Sequence, residues 1–177
     1  YPLVDIGATP ASLAPEKYPM ADTKSHEVKV GIYTPSSGKT VYLQTKSPVD
    51  RYFTGISWSP DERTIYLIEM PRSQKEYELV AFDATTGARK ATLYREENQE
   101  KYVHPEHGIT FLPWDSNQFI LQSERDGYNH LYLLNTEGKV LKQLTQGAFV
   151  VQNILGFNEA QRSVIIAATE SNALSQN

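Results

Sequence analysis

The sequence predicts an all-β protein, a partial β-propeller of about three four-stranded antiparallel blades. Three observations lead there. The apolar runs are short and rich in Tyr, Val, Ile and Thr, with 11 Tyr and 6 Phe against 2 Met, a composition that fits pleated, half-buried surfaces. Turn signals separate the runs, and no stretch sustains a helical period. The strand–turn–strand units also recur in phase along the chain.

Residues 1–25 carry Pro2, Pro10, Pro15 and Pro19 and show no sustained periodicity. Proline removes backbone donors and disfavours helix before it, so this stretch reads as an extended connection with a short strand near residues 3–6. Residues 26–177 form the predicted propeller segment. Val28-Lys29-Val30-Gly31-Ile32-Tyr33 alternates apolar and polar residues, Pro35-Ser36-Ser37-Gly38 turns the chain, and Thr40-Val41-Tyr42-Leu43-Gln44-Thr45 returns. The next series is residues 52–58, the turn Ser59-Pro60-Asp61-Glu62, residues 64–70, residues 77–82, the turn Ala84-Thr85-Thr86-Gly87 and residues 90–94. A third runs through residues 108–112, 119–123 and 130–134, the turn Thr136-Glu137-Gly138, and residues 140–144. Residues 151–156 and 163–168 close the chain.

The repeat fixes the architecture. Equivalent first strands place Ile56, Ile109 and Ile154 at spacings of 53 and 45 residues. The hairpin glycines Gly38, Gly87 and Gly138 follow at 49 and 51. Four strands in ~40–50 residues are a propeller blade. A sandwich with regular hairpins is the alternative, but it does not require turn types to recur in phase. The chain then holds the last two strands of one blade, two full blades and the first two strands of another. Rings of ~4–8 blades are usual, so a longer protein is expected. The open ends are expected to expose Val28, Val30, Ile32, Ile165 and Ile166, and to favour a homo-oligomer.

Charge and composition narrow the function. With 17 basic and 21 acidic residues the net charge is −4, which argues against nucleic acid. The absence of Cys excludes disulfides, thiolate metal sites and a Cys nucleophile. No apolar run approaches the ~18 residues of a membrane span, and no signal peptide is visible. His104 and His107 could hold a metal only with a third partner such as Glu106 or Glu100, and no HExxH helix surrounds them, so they read as loop histidines and no metal or other cofactor is expected. His130 reads as a hydrogen-bonded structural residue at the start of a strand. Ser36-Ser37-Gly38-Lys39-Thr40 lacks the first glycine and the following helix of a phosphate loop and reads as a hairpin. Glu96-Glu97 reads as a solvated strand end.

Two strings carry a family resemblance. Thr54-Gly55-Ile56-Ser57-Trp58-Ser59-Pro60-Asp61-Glu62 and Ser123-Glu124-Arg125-Asp126-Gly127-Tyr128-Asn129-His130-Leu131-Tyr132-Leu133 resemble the propeller domain of the dipeptidyl peptidase IV family. Tyr18-Pro19-Met20-Ala21 and Asp50-Arg51-Tyr52 fit the same pattern, and the wording is similar to that of bacterial, Bacteroides-type members. The resemblance implies an exported serine peptidase with an eight-bladed propeller and a C-terminal α/β-hydrolase domain. That domain supplies Ser, Asp and His, and none of these catalytic residues is expected in this chain. No Ser here has the Gly-x-Ser-x-Gly setting of a nucleophile elbow. The propeller's amine-binding Glu pair is expected upstream of Tyr1.

By the same resemblance, the connection spanning residues 100–108 lies near the peptide substrate, which makes Tyr102, Val103 and His104 the substrate-proximal candidates, although Val103 and His104 depart from the family's residues. The segment is expected to gate and orient peptides for the hydrolase domain, its partner in the same chain. The alternative is a propeller scaffold that binds other proteins without an enzymatic partner domain.

Overall fold

The computed structural model describes residues 2–16, 19–20 and 22–169. Tyr18 and Ala21 of the resemblance motif lie outside the described residues. All fourteen elements of the described chain are strands. None of its helices is long and apolar enough to cross a membrane, because the described residues form none.

A hairpin of β1 (Pro2–Asp5) and β2 (Ser12–Pro15) opens the chain where the sequence reading expected an extended segment. Its register sets Pro2 against Pro15, positions at the ends of a two-stranded ladder where a missing donor costs little. A leading half-blade follows, β3 (Gly31–Thr34) paired with β4 (Lys39–Tyr42). The first full blade is β5 (Arg51–Trp58), β6 (Thr64–Pro71), β7 (Glu76–Asp83) and β8 (Arg89–Glu97), in that spatial order. The second is β9 (Thr110–Leu112), β10 (Asp115–Ser123), β11 (His130–Asn135) and β12 (Val140–Gln143), again in sequence order. A trailing half-blade pairs β13 (Val151–Asn158) with β14 (Ser163–Ala168). This is the predicted sequence of half, full, full and half, with every pairing antiparallel.

Ile56 and Ile154 fall on the first strands β5 and β13, and Ile109 immediately precedes the first strand β9. The first strands of the two full blades approach closely. Ser57 donates from Oγ to the Ile109 carbonyl at 3.0 Å, and a Cβ on Gly108 would stand 3.0 Å from the Gly55 oxygen.

Period-two alternation sorts each full blade's side chains into two buried faces. On β6, Ile65 and Leu67 pack toward the leading half-blade with Leu43, Val80 and Phe82. Tyr66 and Ile68 point the other way, joining Tyr77, Leu79, Phe119, Leu121, Tyr132 and Leu134 between the two full blades. Ile120 and Leu131 meet Val151, Ile154, Phe157 and Ile166 at the third joint. A sheet covered on both faces is what a stacked blade requires, and it explains the unbroken apolar run of β6.

The same alternation corrects the expectation for the open ends. Val28 and Ile165 are exposed, as expected. Val30 and Ile32 instead pack inward against the first full blade, and Ile166 packs against the second. The large hydrophobic side chains left in solvent on β3 and β4 are Tyr33 and Tyr42, on the opposite face.

Candidate functional site

The antiparallel sheets bring five connections to one rim: residues 43–50, 72–75, 98–109, 124–129 and 144–150. The longest of them, residues 98–109, leaves the outer strand of one full blade and enters the other. It is tied down from below by the β6–β7 turn. Asn98 donates its amide to the Lys75 carbonyl at 2.8 Å, and Val103 donates to Gln74 at 2.9 Å. Lys75 Nζ reaches the Lys101 carbonyl at 3.3 Å and sits 4.9 Å from the Tyr102 ring centroid. The Asn98 carboxamide oxygen accepts the amides of Glu100 and Lys101, tightening the bend.

Beneath this loop lies a polar cluster the sequence reading missed. Glu96 is buried, 8% exposed, whereas its neighbour Glu97 stays in solvent. The expectation of a solvated Glu96-Glu97 pair therefore fails for Glu96. On β8, Glu96 shares the face of Tyr94, and that face is covered by the second full blade. Its Oε2 accepts hydrogen bonds from Tyr77 OH at 3.0 Å, Tyr94 OH at 3.2 Å and Ser123 Oγ at 2.5 Å. Arg125 donates from Nε to Ser123 Oγ at 3.1 Å and stacks its guanidinium over Tyr132 at 3.8 Å and Tyr94 at 4.6 Å.

Three hydroxyl donors on one oxygen make a buried carboxylate tolerable where, among the described residues, no Lys or Arg forms a direct ion pair with it. Burial, with the Glu96 charge adding to it, pushes the Tyr94 hydroxyl up to about 12 and the Tyr77 hydroxyl well above its ordinary range. Burial and the Asp126 carboxylate push Tyr132 to about 12. All three keep their protons at neutral pH, and for Tyr77 and Tyr94 that is the state the Glu96 contacts require.

A cavity of about 90 Å³ opens over this cluster, lined by Glu96, Glu97, Tyr102, Val103, Glu124 and Arg125 among others. It gathers two of the three sequence-derived candidates. Tyr102 is 60% exposed at its mouth. Val103 turns its side chain into the core between the full blades, at 3% exposure, so it offers a ligand little beyond backbone. His104 is exposed on the loop, outside the cavity lining. The signal that locates Glu96 is the Tyr94-x-Glu96 spacing; its other donors, Tyr77 and Ser123, are remote in sequence and become partners only through the blade joint.

The other histidines have plain surroundings. His107 lies 4.0 Å from the Glu106 carboxylate. Among the described residues, no three His, Cys, Asp or Glu converge as a metal site. His130 is fully buried, with Nδ1 3.1 Å from Thr145 Oγ1 and Nε2 3.0 Å from the Gly147 carbonyl. Because Thr145 Oγ1 already accepts the Leu131 amide, the consistent pattern is Nε2–H donating to Gly147 and Nδ1 accepting from Thr145. His130 thus ties β11 to the loop that leads into the trailing half-blade.

The chain resembles solved structures of longer proteins. A Bacteroides ovatus protein described as a dipeptidyl aminopeptidase IV is 48% identical, with a TM-score of 0.85, over 96% of this chain and 27% of its own. Porphyromonas gingivalis dipeptidyl peptidase 4 superposes with a TM-score of 0.76 at 20% identity, over 92% of this chain and 23% of its own, a likeness of fold. The chain thus spans about a quarter of the length of each. The dipeptidyl peptidase IV N-terminal region matches residues 1–177, and on that match, with in-phase blades beneath it, the chain belongs to the dipeptidyl peptidase IV N-terminal region family.

Proposed function

We propose that this chain is the non-catalytic propeller segment of an exported dipeptidyl peptidase IV-like serine peptidase, and that it admits and orients peptides for a separate hydrolase domain. The observation that carries the reading is the match of all 177 residues to the family's N-terminal region. The rim geometry supports the orienting role. An exposed aromatic, Tyr102, is held at a cavity mouth by Lys75 and by a loop pinned to the neighbouring turn. Tyr102 and His104 are the side chains this reading places toward substrate, with Val103 serving as the loop's buried anchor.

The test uses the longer protein and this chain side by side. The longer protein should release dipeptides from an X-Pro substrate, and a serine-directed inhibitor should abolish the activity. The 177-residue chain should show none. In the longer protein, Tyr102→Ala should raise KM several-fold and leave kcat nearly unchanged, the mark of lost uniform binding. Serine-inhibitable turnover by the isolated chain, or a longer gene without a nucleophile elbow, would overturn the reading.

A further inference from the structure

The Glu96 carboxylate is held but not saturated. Its Oε2 takes all three hydroxyl bonds, from Tyr77, Tyr94 and Ser123, and Oε1 takes none among the described residues. An ionised carboxylate accepts at both oxygens, so half of this one is idle. Among the described residues, the fully enclosed side-chain polar atoms without a partner are Glu69 Oε2 and Tyr132 OH. Glu96 Oε1 is not one of them, so it is reached from outside although the residue is only 8% exposed. Glu96 lines the cavity of about 90 Å³ on the substrate-side rim, and Oε1 is the oxygen left to face it. A donor arriving through that cavity would complete a buried acceptor that is otherwise costly to leave unmade.

The cavity walls set the sign and size of the donor. Glu96, Glu97 and Glu124 put three carboxylates in the lining against one cation, Arg125. The Arg125 charge is already engaged, with Nε on Ser123 Oγ and the guanidinium lying over Tyr132 and Tyr94. Glu97 meets Arg95 at 3.3 Å, and the Glu124 side chain is exposed. Lys75 stays outside the lining, occupied by the Lys101 carbonyl and the Tyr102 ring. The volume is far below the ~300–1,000 Å³ of a pocket that encloses a whole small ligand, so it suits the head of one side chain.

We propose that Glu96 Oε1 is the acceptor of a side-chain subsite on the propeller rim, and that this subsite takes the ammonium or guanidinium head of a lysine or arginine carried by the peptide substrate. Three hydroxyls fix Oε2, so Oε1 is oriented before the ligand arrives. Glu97 and Glu124 attract the cation, and Tyr102 at the mouth offers its ring to the aliphatic stem. The proposal rests on the reading of the chain as the propeller segment of a peptidase.

Steady-state kinetics of the longer protein test it. Peptides with proline at the second position are compared in pairs that differ only in lysine against norleucine, at the first, third and fourth positions in turn. At one position lysine should be favoured by about tenfold in kcat/KM, most of it in KM, the scale of one hydrogen bond to a charged group. Glu96→Gln turns an amide toward the cavity. It should abolish that preference and leave the norleucine peptide within about twofold of its original kcat/KM. Glu124→Gln, on the surface, should keep the fold and lower the preference by only about two- to threefold. No lysine preference at any position overturns the subsite, as does a preference that survives Glu96→Gln. An equal loss for both members of the pair also overturns it, because Glu96 would then serve the fold alone. So would a matching preference for glutamate over glutamine, which would assign recognition to Arg125. A longer protein that cleaves none of the peptides defeats the peptidase reading itself, and the subsite with it, a failure seen before any variant is made.

Discussion

The two complete joints of this chain share an apolar layer and differ in their polar layer. Between the leading half-blade and the first full blade, the polar layer is a chain of ions. The Glu69 side chain is fully buried and meets Arg89 at 2.8 Å; Arg89 also meets Glu78 at 3.0 Å, and Lys46 caps Glu78 at 2.7 Å. Between the two full blades it is the Glu96 carboxylate, surrounded by the hydroxyls of Tyr77, Tyr94 and Ser123, with Arg125 stacked on the tyrosine rings. A blade joint can hold a carboxylate either by counter-charge or by neutral donors. The two solutions respond differently to mutation, salt and pH.

The largest expected effect comes from the ionic joint. Arg89→Ala strands Glu69, whose Oε2 already has no hydrogen-bond partner, and should cost about 3–5 kcal/mol in chemical denaturation. The double change Glu69→Leu with Arg89→Leu should recover most of that loss, because a buried pair replaced by apolar side chains is often neutral. A double variant as unstable as Arg89→Ala alone would mean that the ions contribute more than each other's neutralisation.

A comparable loss, about 3–5 kcal/mol, should follow Phe119→Ala at the second joint. Phe119 is fully buried and its ring lies 5.7 Å from Phe111 and 6.1 Å from Tyr66. Here the apolar layer, rather than the polar one, should dominate. Glu96→Gln should cost less, about 1–3 kcal/mol, since one acceptor is lost while the three hydroxyls keep a carbonyl oxygen. A Glu96→Gln loss exceeding that of Phe119→Ala would reverse the ranking. Salt should give the smallest effect. Raising ionic strength should weaken the partly exposed Lys46–Glu78 pair by less than about 1 kcal/mol and leave the Glu96 cluster unchanged.

Much of the fold was legible because a blade is a local object. Each hairpin is specified by its own turn residues and each strand by its own alternation, so the half, full, full and half order followed from residues near one another. The glycines at 38, 87 and 138 were legible as turns. Gly87 and Gly138 have a second role, since a Cβ there would stand 2.2 Å from the Tyr42 carbonyl oxygen and 2.0 Å from the Leu93 one, each on the outer strand of the preceding sheet, and that role left no local mark. Glu96 was misread for the same reason. Its alternation with Tyr94 was visible, but its burial depends on Ser123 and on the second full blade. Tyr102 and Val103, adjacent in sequence, separate into rim and core because successive residues of a taut connection face opposite ways.

The pH dependence of unfolding tests the contrast most directly. Burial raises the pKa of Glu78, but Lys46 and Arg89 outweigh it and hold the carboxyl below its ordinary value. A lowered carboxyl contributes stability above its unfolded pKa of ~4.3, and loses it as pH falls through the lower folded value. The hydroxyls of Tyr94 and Tyr132, raised to about 12, act in the opposite sense. Their contribution is complete below the unfolded value of ~10 and disappears as pH climbs toward the folded one. Thermal unfolding of the wild type, Glu78→Gln and Tyr94→Phe across the acid and alkaline limbs should therefore separate the joints. Glu78→Gln should shrink the acid limb and leave the alkaline limb as it is, and Tyr94→Phe should do the reverse. Either variant changing both limbs equally, or neither variant changing its own, would contradict the account.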